Sequence, residues 1–198
     1  MDREVFLARL QDRLDHAVAP GTAHPPKPAP DVVPRVDYPP DPRPLEERFG
    51  EALAAVRGRV ATLDELPGLL EELEVRTAVA TDDAIPLPPG IERLPLERAH
   101  EADAGFTRAR AACAVTGTVV VADACRMASL LPRVHVVAVP RDTLVETPGD
   151  LLRDLPRIFP DGLPANFALE TGPSKTADID GIVIYGVHGP LAVIALFV

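Results

Sequence analysis

Between Pro132 and Pro140 the chain reads Arg133-Val134-His135-Val136-Val137-Ala138-Val139. Val134 to Val139 is a continuous apolar run broken only by the histidine. Such a run predicts a strand buried on both faces, as found in parallel sheets covered by helices. Alternation places His135 on one face or the other, and the sequence does not choose between them.

The segments around this run alternate between helical and strand periods. Leu45, Phe49, Leu53, Val56 and Val60 share one helical face, so a helix is expected over 45–60, with Pro44 at its first turn. A further helix is expected over 64–73, entered through Thr62 or Asp64, followed by a short strand over 76–80. Residues 82–95 read as a loop anchored by Ile85 and Leu87. Strands over 111–115 and 118–121 flank a tight turn at Thr116-Gly117. Residues 142–159 read as mostly helical, with Pro156 near the end, and strands are expected over 166–169, 182–185 and 191–198. Because the last segment, to Val198, is wholly apolar, it is expected inside the sheet. Helices alternating with buried strands give an α/β class with an open, largely parallel sheet.

One domain with an arm is expected: an N-terminal helix and proline-rich arm over 1–44 and an α/β domain over 45–198. Phe6, Leu10, Leu14 and Ala17 recur at helical spacing, so 2–18 reads as an amphipathic helix. It packs either on its own domain or on a partner subunit. Residues 20–44 contain ten prolines and read as an extended, polyproline-like connector.

The densest set of small, polar and charged residues is Glu170-Thr171-Gly172-Pro173-Ser174-Lys175-Thr176-Ala177-Asp178-Ile179-Asp180, followed by Gly186-Val187-His188-Gly189-Pro190. Gly172 allows close approach of a ligand to the backbone. Ser174 or Thr176 can cap a short helix starting at Ala177, and free N–H groups there, with Lys175, suit a carboxylate or phosphate. The same pattern also suits a capped turn with no ligand. Thr116, Gly117 and Thr118 add two hydroxyls and a flexible turn. The candidate anion-binding residues are therefore Thr116, Gly117, Thr118, Thr171, Gly172, Ser174, Lys175 and Thr176. His188 at a strand end and Asp178 are candidates for acid–base work, with structural roles as the alternative.

These residues also carry a resemblance. The segments TGPSKTADID and YGVHGP, with Ala114–Val121 and Leu130-Leu131-Pro132-Arg133-Val134-His135, resemble the LUD-domain family, in its lactate-utilisation protein C branch. The resemblance covers residues 100–198 best. Val115 departs from it, standing where the family usually has glutamate. The resemblance implies a fold like that of the CoA-transferase and ribose-phosphate-isomerase superfamily. It also implies a part in oxidising L-lactate to pyruvate, with companion subunits that carry iron–sulfur clusters. A stand-alone enzyme or binding protein for a small anionic or acyl substrate is the alternative.

Composition narrows the partners. The formal net charge is −10, there is no Trp, and 4% of residues are aromatic, which argues against nucleic acid. No apolar run approaches a membrane span, and the mixed charge of Met1-Asp2-Arg3-Glu4 does not read as a secretory signal. A cytoplasmic protein is expected. Two cysteines, Cys113 and Cys125, cannot supply the four thiolates of a cluster, so no cofactor is expected on this chain. They read as buried free thiols. No HExxH motif or helical histidine pair points to a metal, and none is expected.

Overall fold

The computed structural model describes residues 4, 5, 7–9, 38–122, 125–177 and 183–198. By their contacts the residues divide into Met1–Pro39 and Pro40–Val198. In the first unit Glu4, Val5 and Leu7 to Arg9 are helical. The remainder of the expected 2–18 helix, and most of the proline-rich connector, lie outside the described residues.

The second unit is built on a six-stranded sheet in the order β1-β12-β7-β4-β2-β3. Its strands are β1 (Arg59–Val60), β2 (Thr77–Ala80), β3 (Glu92–Arg93), β4 (Ala104–Arg108), β7 (Val134–Val139) and β12 (Ala192–Phe197). Every pairing within it is parallel. All residues of β7 are buried, and β12 lies between β1 and β7, inside the sheet as expected.

Each face of this sheet is covered. On one face Phe106, Val134, Val136, Ile194 and Leu196 pack against Leu66, Leu69 and Leu70 of helix α2 (Leu66–Glu72). On the other, Val137, Val139 and Ala195 meet Phe49 and Leu53 of helix α1 (Leu45–Ala55). The same face also meets a second sheet, of four strands in the order β8-β5-β6-β9. Its strands are β5 (Ala111–Cys113), β6 (Thr118–Val121), β8 (Leu144–Val145) and β9 (Ala168–Thr171). Its far face, with Ala111, Cys113 and Val120, lies under Leu151 of helix α4 (Pro148–Ile158). Helix α3 (Cys125–Leu130) crosses at Gly105 of β4, where a Cβ would collide with the carbonyl oxygen of Ala128. Strands β10 (Lys175–Thr176) and β11 (Ile184–Tyr185) form a separate antiparallel ribbon.

Three local expectations are corrected. The first helix ends at Ala55, not Val60, because Arg57 turns the chain at φ 67° and the Gly58 N–H returns to the Leu53 carbonyl at 2.8 Å. Val60 then joins β1. The expected helix over 142–159 is split. Leu144 is buried on β8 beside β5, and the helix starts only at Pro148, behind a capping box between Thr147 and Asp150. Finally, Lys175 and Thr176 lie on a strand and not at a helix start. Residues 178–182, with Asp178 and Asp180, lie outside the described residues.

Candidate functional site

Antiparallel pairing of β6 with β9 puts Thr118 opposite Thr171. Their Oγ1 atoms are 2.7 Å apart, and Thr116 Oγ1 is 2.7 Å from Thr118 Oγ1. The two sequence segments thus meet in a chain of three hydroxyls. Strand alternation puts Thr118 and Thr171 on the outer face of the four-stranded sheet. Thr118 is buried there, whereas Thr171 is exposed. Each hydroxyl has one proton to donate, so the chain leaves polar capacity at its ends for a ligand or water.

The two loop glycines serve packing. Gly117 has φ 64°, and a Cβ there would lie 2.5 Å from the Leu53 nitrogen. Gly172 has φ 68°, and its Cβ would lie 2.8 Å from the Val56 carbonyl oxygen. Both turns therefore press on the C-terminal end of α1, and the close approach expected at Gly172 is made by α1.

Ser174 is fixed by backbone bonds to the following turn. Its N–H donates to the Pro190 carbonyl, and its carbonyl accepts from Gly186, each at 2.9 Å. Gly189 lies against Ser174, where a Cβ would be 3.0 Å from the Ser174 Cβ. His188 is exposed in this turn. Lys175 is exposed on the ribbon opposite Tyr185, whose ring lies 4.4 Å beneath the Arg57 guanidinium. The candidate residues thus fall into two groups, the hydroxyl chain and the ribbon with its turn.

A third polar cluster was missed by sequence reasoning. His135 lies on the β7 face that meets the second sheet, between Gly105 and Val193 in register. Its side chain is 1% exposed and its Nε2 is 2.8 Å from Thr107 Oγ1 on β4. Its Nδ1 has no hydrogen-bond partner, yet it lies 3.3 Å from Glu170 Oε2. The Ser129 hydroxyl of α3 donates to Glu170 Oε1 at 2.6 Å. Burial pushes the His135 imidazole down to about 3, so it is neutral at pH 7. Burial also pushes the Glu170 carboxyl up, against opposing pulls from the Ser129 hydroxyl and the Arg126 charge. The 3.3 Å approach is therefore not an ion pair. The visible signals were a histidine inside an apolar strand and a glutamate leading into the polar stretch.

Cys113 is a buried free thiol, with its titration pushed up by burial. Among the described residues no group of three His, Cys, Asp or Glu side chains is placed to hold a metal ion. Among them, too, no helix is long and apolar enough to cross a membrane. Val115 packs half-buried against the cluster beneath α4.

The LUD domain pattern matches residues 91–198, more than half of the chain. The chain belongs to the LUD-domain family. Two relatives named lactate utilization protein C show the extent of the likeness. The protein from Halalkalibacterium halodurans is 38% identical over 105 residues, covering 50% of this chain and 45% of that protein. The protein from Macrococcus caseolyticus is 34% identical over 125 residues, covering 61% and 52%. The chain thus spans about half the length of the curated relatives it matches. A DUF162 family protein of known structure from Deinococcus radiodurans shares the fold, with a TM-score of 0.55 at 21% identity, over 77% of this chain and 95% of that one. The hydroxyl chain, the ribbon and the buried cluster all have their side chains within the matched LUD domain.

Proposed function

We propose that this LUD-domain protein is a cytoplasmic component of an L-lactate utilisation system, which oxidises L-lactate to pyruvate. The observation that carries the reading is the likeness to proteins named lactate utilization protein C over half of the chain or more, with a LUD domain match over residues 91–198, which hold the polar segments. With two cysteines the chain leaves cluster ligation to iron–sulfur companion subunits. Its own part is to bind the small carboxylate. On the ribbon Lys175 supplies the positive charge beside Ser174 and Thr176, and the separate hydroxyl chain of Thr116, Thr118 and Thr171 supplies further donors. In a protein of net charge −10, an exposed lysine beside several hydroxyls is a local exception that suits an anion.

The test is calorimetric titration of the purified chain with L-lactate, followed by an assay for pyruvate. The reading expects binding without turnover by the chain alone. Turnover by the chain alone would favour a second reading, a stand-alone enzyme for a small hydroxylated or acyl anion. The observation on that side is the buried pair of Glu170 and His135, a polar site this chain owns outright.

A further inference from the structure

The cluster of Thr107, Ser129, His135 and Glu170 sits between the two sheets, where an unneeded polar group is costly. An ionised carboxylate placed there for structure alone is paired with a cation. Here Glu170 has a serine hydroxyl and a neutral imidazole, and among the described residues no lysine or arginine pairs with it. Arg126, whose charge acts on it from α3, is itself exposed. Among the described residues the other strands bring no charge to this side. Facing it are Gly105 and Thr107 from β4, Val119 from β6 and Val193 from β12.

Two proton arrangements are open to the pair once the 3.3 Å approach, which carries no completed hydrogen bond as it stands, closes into one. In the first, Glu170 is a carboxylate, His135 points its Nδ1–H at it, and Thr107 donates to Nε2. In the second, Glu170 is protonated and donates to Nδ1, while Nε2–H donates to Thr107 Oγ1. The second state holds one more proton and one less negative charge than the first. Passing between them turns a hydroxyl and moves the imidazole proton across the ring, with no rearrangement of the backbone. Glu170 is the end of this path that meets solvent. Its side chain is 14% exposed against 1% for His135, and β9 is the edge strand of its sheet.

We propose that Glu170 and His135 form one proton-exchanging site, opening at Glu170, that takes the hydroxyl of a small hydroxy-carboxylate. Glu170 makes the contact, and His135 is the positioning residue that shares its proton. In the basic state the carboxylate accepts a hydrogen bond from the ligand hydroxyl. In the acidic state the carboxyl donates one to it. The choice of ligand rests on the lactate reading, whereas the coupling between the two residues does not.

The experiment is a pH titration of the full chain by NMR, following the Glu170 carboxyl carbon and both His135 ring nitrogens, with and without L-lactate. The proposal expects one shared midpoint, above the ordinary carboxylate range, at which the His135 nitrogens exchange tautomer without forming imidazolium. Glu170→Gln, with folding checked by melting, should hold His135 in one tautomer through the same range. If that variant does not fold, the wild-type titration decides alone. Ring nitrogens that stay constant while Glu170 titrates would overturn the proposal, as would a Glu170 midpoint in the ordinary range. Joint titration with a midpoint moved by L-lactate supports both the site and its ligand. Joint titration that L-lactate leaves unmoved keeps the proton site and rejects its assignment to the L-lactate hydroxyl.

Discussion

His135 Nδ1 lies 3.3 Å from Glu170 Oε2 inside the layer between the two sheets, with no hydrogen bond completed on the nitrogen. A buried carboxyl beside an unsatisfied neutral imidazole is under tension with its surroundings, and pH is the variable that reveals it. Glu170 titrates higher in the folded chain than its ordinary 4.5. Folding therefore favours its protonated form, and stability is lost as pH rises from about 4.5 through the folded value. Glu170→Gln should gain on wild type across that window, by about 1.4 kcal/mol for each unit of the shift. Urea unfolding of both proteins between pH 4 and 8 checks this. A constant difference between them would contradict it.

His135 works in the opposite direction. Its folded value, about 3, lies below the ordinary 6.5, so the unfolded chain binds a proton that the folded chain refuses. Stability should fall as pH drops below about 6.5, by about 1.4 kcal/mol per unit from this residue. The Glu170→Gln background, which removes the opposing group, is where the slope is read. An acid limb there no steeper than in a Glu170→Gln, His135→Gln double variant would contradict it.

Gly105→Ala should be strongly destabilising. In an ordinary strand the exchange would stabilise by about 0.5–1 kcal/mol through the unfolded chain. Here the added methyl collides with the Ala128 carbonyl, a backbone atom that cannot step aside alone. Overpacking of this kind costs about 3 kcal/mol. Thermal melting measures the loss, and a rise in melting temperature would show that α3 shifts freely.

Asp103 ties strand starts together. Its Oδ2 accepts from the Arg76 and Thr77 N–H groups at 2.9 and 3.0 Å, and Oδ1 from Arg133 at 3.3 Å. Burial works against its ionisation, but these donors outweigh burial and hold the carboxyl below its ordinary 3.8. Its contribution is thus present above about 3.8 and lost on acidification below it. Asp103→Ala should cost about 1–3 kcal/mol at pH 7 and much less at pH 2, as denaturant titration at the two pH values would show.

Much of the fold could be read in the residues. The apolar run over 134–139 announced a doubly covered strand, and the wholly apolar 192–197 segment announced another. The helix end at Ala55 could not be read, because Arg57 is a non-glycine residue at positive φ, which composition does not signal. The β8 strand was hidden because two residues carry no period. At the site, the meeting of Thr118 with Thr171 was foreseeable from two strands with polar ends. The buried pair was not. It depends on the register that sets His135 beside Gly105, and on which way β9 alternates, and no local pattern fixes either.

Lys175→Met should weaken L-lactate binding by roughly ten- to a hundred-fold, the worth of one charge-assisted contact. The fold should be unaffected, since the side chain is exposed on the ribbon. Lys175→Arg need not restore binding, because a planar fork does not replace a compact ammonium. Calorimetry after matched melts decides, and equal affinity in Lys175→Met would remove it from the site.

The most direct test of the lactate role is growth. The gene for this chain is deleted from its own host, and the strain is grown on L-lactate and, separately, on pyruvate as sole carbon source. The account predicts loss of growth on L-lactate alone, restored by the wild-type chain. Undiminished growth on L-lactate, with no second L-lactate oxidase in the strain, would contradict it.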